Sequence, residues 1–158
     1  MPGHRGYFEG PAADEALFQG PTALALDGSG GLYVADTGNH RVRRLDLLAR
    51  TVTTVLGTGV GGSTGTGAPA RLFPVDAPRG LAVDGAGNLF VSSRDSVRLV
   101  TRGTGAVVDG SGTVLTVLDA ATSRARCLTG LQLLEKDRQL LVLDECQGLL
   151  LRLERTAQ

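Results

Sequence analysis

Four aspartates, two histidines, two cysteines and one run of arginines are the residues of this 158-residue sequence with chemistry to offer. Asp27, Asp36, Asp84 and Asp144 are of the type that ligates hard cations or carries protons. Each stands at the end of a short apolar run, where an aspartate caps its own turn. They fall in separate copies of a repeated segment, or at opposite ends of one copy, which separates them in space. Turn capping is the favoured reading. His40 lies in a loop and His4 near the N-terminus, and two histidines cannot build a histidine-rich metal centre. There is no phosphate loop and no G-x-S-x-G nucleophile turn. The glycine-rich stretch 57–67 lacks the lysine and following helix of a phosphate cradle and reads as a flexible loop. The sequence therefore assigns no catalytic residue, no cofactor and no metal ligand, and the chain is read as not an enzyme.

Arg41-Val42-Arg43-Arg44 is the one basic cluster of note. RNA-binding surfaces need a broad basic face with stacking aromatics. Here 16 basic residues balance 16 acidic ones, and there are four Phe, two Tyr and no Trp. Nucleic acid is disfavoured as a partner, with an RNA-binding surface kept as an alternative. The longest apolar runs fall far short of the roughly 18 residues of a membrane helix, so no membrane insertion is expected.

The elements that carry these residues are written three times. Leu24-Ala25-Leu26-Asp27-Gly28 leads to Leu32-Tyr33-Val34-Ala35-Asp36. Leu81-Ala82-Val83-Asp84-Gly85 leads to Leu89-Phe90-Val91-Ser92-Ser93. Leu131-Gln132-Leu133-Leu134 leads to Leu140-Leu141-Val142-Leu143-Asp144. Large and small residues alternate along each first run, which is the period of a strand. Gly- and Asn-rich turns join the runs into hairpins. A third strand follows in each copy, at 40–45, 96–100 and 149–153. Its apolar residues sit three apart (Val42 and Leu45, Val97 and Val100, Leu150 and Leu153), which predicts a β-bulge shared by all three. A fourth strand is visible at 51–56 and 113–118. Four antiparallel strands per unit make a propeller blade. The fold class is all-β, a partial β-propeller of about three four-stranded antiparallel blades, the last lacking its outer strand.

The chain divides as a blade-to-blade segment 1–20, blade 1 at 21–57, a long Gly-rich inter-blade loop 58–77, blade 2 at 78–118, a connection 119–126 and an incomplete blade 3 at 127–158. Loops as long as 58–77 are uncommon without a purpose. Phe18 and Phe73 occupy matching places in the two lead-in segments and are expected to anchor them on the blades.

Cys127 and Cys146 flank the third hairpin. If that hairpin turns at Lys136-Asp137, residues whose numbers sum to 273 face each other, and the two cysteines do so. Facing Cβ atoms lie about 4.5–5.5 Å apart, close to disulfide reach. The register favours a disulfide, and two apposed free thiols are the alternative.

Gly31-Leu32-Tyr33-Val34-Ala35-Asp36-Thr37-Gly38-Asn39-His40-Arg41-Val42-Arg43 resembles an NHL repeat. The second copy keeps Pro78-Arg79-Gly80-Leu81-Ala82-Val83-Asp84 but replaces the Ala-Asp-x-x-Asn-His segment by Ser92-Ser93-Arg94-Asp95-Ser96. The third keeps mainly its apolar frame and Asp144. The resemblance implies a β-propeller that serves as a binding surface, and it makes His40 part of the blade.

The expected function is a non-catalytic interaction module within a larger secreted or envelope protein, extracellular or envelope in location. The rival is a fragment of a propeller hydrolase or lyase whose catalytic residues lie in other blades. The second-to-third-strand loops should share one end with the loop 57–77, and Asn39, His40, Arg41, Arg94 and Asp95 are the candidate binding face there, with Arg79 near the channel mouth. Three blades fall short of the roughly 4 to 8 of a closed propeller. The partner is thus a protein or the remaining blades, with a homodimer closing a six-bladed ring as the other solution.

Overall fold

A computed structural model of the protein describes residues 6, 16–62, 65–119, 121, 123–134 and 138–154. Eleven strands build three antiparallel sheets. Blade 1 is β1 (Ala23–Leu26), β2 (Gly31–Asp36), β3 (Arg41–Asp46) and β4 (Thr51–Leu56). Blade 2 is β5 (Gly80–Val83), β6 (Leu89–Ser92), β7 (Val97–Val100) and β8 (Val114–Leu118). Blade 3 is β9 (Leu128–Leu134), β10 (Gln139–Asp144) and β11 (Leu149–Glu154), three strands among the described residues. The innermost strands β1, β5 and β9 are neighbours, so the sheets radiate as propeller blades. The turn at Lys136-Asp137 lies outside the described residues.

Successive blades pack back to front. The back of blade 1 presents Ala23, Ala25, Tyr33, Ala35 and Val42 to the front of blade 2, where Leu81, Leu89, Val91 and Val100 are buried. The back of blade 2 presents Ala82, Phe90 and Val97 to the front of blade 3, with Leu131, Leu133, Leu140 and Val142. Small residues on one inner strand leave room for large ones on the next, as close packing requires. Gly80 shows how tight the junction is. A Cβ there would run into the Thr129 carbonyl oxygen of β9.

Three positions that lead into the inner strands share a left-handed backbone: Gly20 at φ 56°, Ala77 at φ 46° and Cys127 at φ 46°. Only one of them is glycine, so the tertiary frame imposes this conformation on the other two.

The third strands pair continuously with the second strands in all three blades. The bulges expected within them lie elsewhere. In blades 1 and 2 the extra residue is on the fourth strand, Val55 opposite Val42–Arg43 and Val117 opposite Val97–Arg98. In blade 3 the irregularity lies between β9 and β10. The spacing misled because both blade faces are covered. Arg43 is fully buried on the front face of blade 1, its guanidinium carbon 5.7 Å from the Phe18 ring centroid. Arg98 repeats this under Phe73 at 5.5 Å. The two phenylalanines anchor their segments as expected.

The loop 57–77 is not the free loop its composition predicts. Gly67 and Ala68 exchange backbone hydrogen bonds with Val114, the Ala70 N–H donates to the Gly112 carbonyl, and Pro69 bridges Thr113. This stretch pairs with residues 110–114 and so covers the edge of β8 only at its first residue, Val114.

Cys127 and Cys146 form a disulfide with Cα atoms 5.5 Å apart. The register sums to 273 from Gln139↔Leu134 to Val142↔Leu131, then slips to 272 at Asp144↔Leu128. The bulge therefore puts Cys127 beside Glu145, whose N–H donates to the Cys127 carbonyl at 3.2 Å, and the bond to Cys146 is diagonal.

Gly80→Ala is expected to lower stability by about 1–3 kcal/mol, because the blade 2–blade 3 junction must open to admit the methyl group. Urea unfolding of the two proteins side by side checks this, and equal midpoints would remove the close-approach argument.

Candidate functional site

The candidate binding-face residues lie at the end of the molecule where second strands turn into third strands. In blade 1 this turn is the 3-10 segment Thr37–Asn39, closed by His40 at φ 50°. Asp36 organises it. One carboxylate oxygen accepts the Gln19 N–H at 2.7 Å, and the other accepts Asn39 Nδ2 at 2.8 Å and faces a guanidinium nitrogen of Arg43 at 3.5 Å. Asn39 Nδ2 also donates to the Gly6 carbonyl at 2.7 Å. His40 Nδ1 accepts the Ala77 N–H at 3.1 Å and sits 3.4 Å from Asp76 Oδ1. Arg41 donates to the Thr58 carbonyl at 2.8 Å and the Asn39 carbonyl at 3.1 Å. Asn39, His40 and Arg41 are thus brought together: Asn39 ties the turn to Gly6, while His40 and Arg41 clamp the two ends of the loop 57–77 to blade 1. The middle of that loop lies away from this end, beside residues 110–114, which corrects the expectation that all of it belongs here.

Blade 2 replaces the Asp36 device with serines. Ser93 N–H donates to the Ser96 carbonyl at 2.9 Å and their hydroxyls pair at 2.8 Å. The Ser92 hydroxyl accepts the Gly80 N–H at 2.8 Å and donates across the junction to the Thr129 carbonyl. Arg94 is exposed at the tip of this turn, and its carbonyl accepts the Leu128 N–H at 2.9 Å. Asp95 beside it is half-buried. In blade 3, Asp144 returns to the Asp36 role, accepting the Arg126 N–H at 2.7 Å and the Gln147 N–H at 3.1 Å. Arg79 is exposed and reaches Glu145 of the neighbouring blade at 3.5 Å. Such an exposed pair contributes little to stability. Glu145 was not singled out from the sequence. Its position in the matching turn, directly after Asp144, was the available signal.

The remaining strand-end aspartates are spent on their own turns at the opposite end. Asp27 accepts the Ser29 and Gly31 N–H groups at 2.7 and 2.9 Å and pairs with Arg44 at 2.5 Å. Asp84 accepts the Ala86 and Asn88 N–H groups at 3.0 and 2.9 Å. A hollow of about 550 Å³ between these two turns is lined by Leu26, Val83 and Arg102 among others. Burial pushes the Asp27 carboxyl up, but the two backbone N–H groups and Arg44 outweigh it, and the net shift is downward. Among the described residues, no group of three or more His, Cys, Asp or Glu side chains is placed to hold a metal ion. No helix of the described residues is long and apolar enough to cross a membrane.

Comparison with known proteins identifies the repeat in blade 1. The NHL repeat profile matches residues 18–45, which span β1 to β3 and the Asp36 turn. The chain carries an NHL repeat. It is 34% identical over 83 residues to the Arabidopsis thaliana protein SUPPRESSOR OF QUENCHING 1, chloroplastic, covering 52% of this chain and 8% of that protein. Over 65 residues it is 40% identical to NHL repeat-containing protein 2 of Gallus gallus and 38% to that of Homo sapiens, covering 40% of this chain and 9% of each relative. The chain therefore spans under a tenth of these relatives by aligned length. An auxiliary nutrient binding protein of Bacteroides thetaiotaomicron superposes with a TM-score of 0.55 at 15% identity, over 74% of this chain and 33% of that one. That similarity is one of fold. The three sheets are blades of a partial β-propeller, and the first of them is an NHL repeat.

Two outcomes follow from these geometries. Because the folded Asp27 pKa lies below its unfolded value, the unfolded chain takes up the proton first. The stabilisation is complete above the unfolded value of about 4 and is lost as pH falls through the lower folded one. Asp27→Asn is expected to cost about 1–3 kcal/mol at pH 7 and to flatten the acid limb of the stability curve, read from urea unfolding at pH 7 and at pH 3. An acid limb as steep as in the parent chain would contradict the assignment. Cys146→Ser is expected to cost about 3 kcal/mol, a fall in Tm of roughly 6–12 °C by calorimetry. A Tm within one degree of the parent would show that the disulfide ties nothing together.

Proposed function

We propose that the chain is a non-catalytic interaction module, and that the turn end bearing Arg79, Arg94, Asp95 and Glu145 meets a protein partner. The observation that carries this reading is the contrast at that end between rigid turns and exposed charge. Asp36, Asp144, the paired Ser93 and Ser96, and the Cys127–Cys146 disulfide hold the backbone. Arg79, Arg94 and Glu145 stand outside that frame in solvent. Exposed charge on a preorganised loop cluster is the usual composition of a recognition surface. The arginine run 41–44 supports a protein rather than a nucleic acid. Arg41 is engaged by carbonyls, Arg43 is buried, and Arg44 pairs with Asp27 and Asp46. The disulfide supports an oxidising setting, extracellular or in the envelope. Two further surfaces, the outer faces of blades 1 and 3, are read as seats for additional blades, supplied by more polypeptide or by a second copy of the chain.

Photo-cross-linking residues introduced singly at Arg94, at Arg79 and, as a control, at Ser29 on the opposite end test the turn end. Cross-links to one protein are expected from Arg79 and Arg94 at least about tenfold above Ser29, the discrimination of one lost charged contact. The Arg79→Glu, Arg94→Glu double variant is expected to lose that partner while keeping the parent Tm. Equal yields from both ends, or a partner retained by the double variant, would overturn the proposal.

A further inference from the structure

One ring nitrogen in this molecule faces two neighbours with opposite needs. His40 Nδ1 lies 3.1 Å from the Ala77 backbone nitrogen and 3.4 Å from Asp76 Oδ1. The Ala77 N–H is a donor and needs a lone pair there. The Asp76 carboxylate is an acceptor and needs a proton there. A neutral ring with its lone pair on Nδ1 serves the first. An imidazolium, which donates from both nitrogens, serves the second. The two neighbours are consecutive residues, so the state of the ring decides how the end of the loop 57–77 is held.

Both side chains are about one-third exposed, at 32% and 33%, so a proton reaches them from solvent. Gly61 from the other end of the loop lies over the pair. A Cβ there would stand 3.0 Å from Asp76 Oδ1 and 3.1 Å from His40 Cε1. Ala77 is held at φ 46°, a conformation that alanine keeps only while its surroundings impose it. Val75 before it and Pro78 after it are buried, so that strain is confined between two fixed points. Beyond it, the Pro78 and Arg79 carbonyls accept the Thr37 and Thr22 hydroxyls at 2.6 and 3.1 Å across the blade 1–blade 2 junction.

Asp76 is the charged group that the loop brings to the ring. On its own strand, Arg41 is turned to the Thr58 and Asn39 carbonyls, its guanidinium against Gly59. Asp36 of the same turn is held by Gln19, Asn39 and Arg43, and Arg79 reaches toward Glu145. Asp76 is therefore the carboxylate placed to receive a proton-bearing Nδ1.

We propose that His40 is a proton-operated latch on the chain that leads into blade 2. When Nδ1 takes up a proton from solvent, the ring parts from the Ala77 N–H and pairs with the Asp76 carboxylate. When the proton leaves, the Ala77 bond re-forms. Histidine is the side chain whose charge changes between pH 5 and 8, so the latch works in that range. This rests on the geometry of the loop 57–77 and not on a partner at the turn end. Arg79 lies two residues beyond Ala77, so acid frees the segment that carries one arginine of that end.

The test is amide hydrogen exchange of Ala77, followed by NMR on the full 158-residue chain between pH 5 and 8 and expressed as protection relative to the unfolded chain at each pH. Protection is expected to fall about three- to tenfold from pH 8 to pH 5, the effect of one backbone hydrogen bond. Protection that stays level over this range overturns the proposal. His40→Asn keeps a side-chain acceptor, does not titrate, and suits the left-handed backbone at φ 50°. It is expected to hold Ala77 protection level. A fall as large as the parent's would assign the response to another group, His4 included, and overturn the latch. Asp76→Asn is expected to lessen the parent's fall by at least about twofold, because the imidazolium loses its anion. An undiminished fall overturns the proposal as well. Cross-linking from Arg79 and Arg94 reads the turn end separately, so either result can fail while the other stands.

Discussion

Each sheet in this protein has two apolar faces and must cover both, and the molecule is organised by how one blade covers the next. A large-residue front lies on a small-residue back. That rule places Ala23 and Ala25 against Leu81, and Gly80 and Ala82 against Leu131. It also explains why the strands do not alternate cleanly between apolar and polar. Blades that are buried on both sides read as nearly continuous apolar runs, as buried sheets do. The close approach at Gly80 brings the backbones of β5 and β9 together, and this same contact lets Ser92 donate to the Thr129 carbonyl. Packing and polar satisfaction at the junction are thus one arrangement.

The buried arginines are the second consequence of two covered faces. Arg43 and Arg98 occupy the same place in blades 1 and 2, each beneath a phenylalanine from the lead-in segment. Burying a guanidinium costs several kcal/mol unless it is well bonded. Arg98 donates to the Gly65 carbonyl and to the Thr116 hydroxyl, and Arg43 faces Asp36. Each ring contact adds about 0.5–2 kcal/mol. In blade 3 the aligned residue is Leu151, and the lead-in residue buried in the same cluster is Ala125. Cation and ring are replaced together, as expected of two groups that stabilise each other. Their shared role is to fasten the lead-in segment onto its blade, and that segment supplies Gln19 and Ala77 to the Asp36 and His40 hydrogen bonds.

Much of this was legible before any coordinates. Alternation marked the hairpins, and the count around Lys136-Asp137 paired the two cysteines, although a bulge made their bond diagonal. What stayed hidden has a common cause. The stretch 66–70 pairs with residues 112–114 through backbone groups, and Gly, Ala and Pro carry no side-chain period to announce it. The bulges at Val55 and Val117 were displaced onto the third strands because spacing cannot tell which of two paired strands holds the extra residue. The left-handed Ala77 and Cys127 were silent because neither residue type prefers that conformation. Tertiary contact imposes it, and only Gly20 among the three reveals it by type.

The same accounting separates structure from recognition at the turn end. Residues that match the repeat most closely, Asp36, Asn39, His40 and Arg41, are those most engaged in holding the blade and its loop. Side chains held this way inside the fold have less to offer a partner. Blade 2 departs from the repeat at Ser92-Ser93-Arg94-Asp95-Ser96. There the serines take over the turn with short local hydrogen bonds, and Arg94 is left standing in solvent. Substituting a compact serine device for the Asp–Asn–Arg network frees surface positions without loosening the backbone. In a repeat fold, individuality is therefore to be sought where a copy breaks the pattern and keeps its geometry by other means.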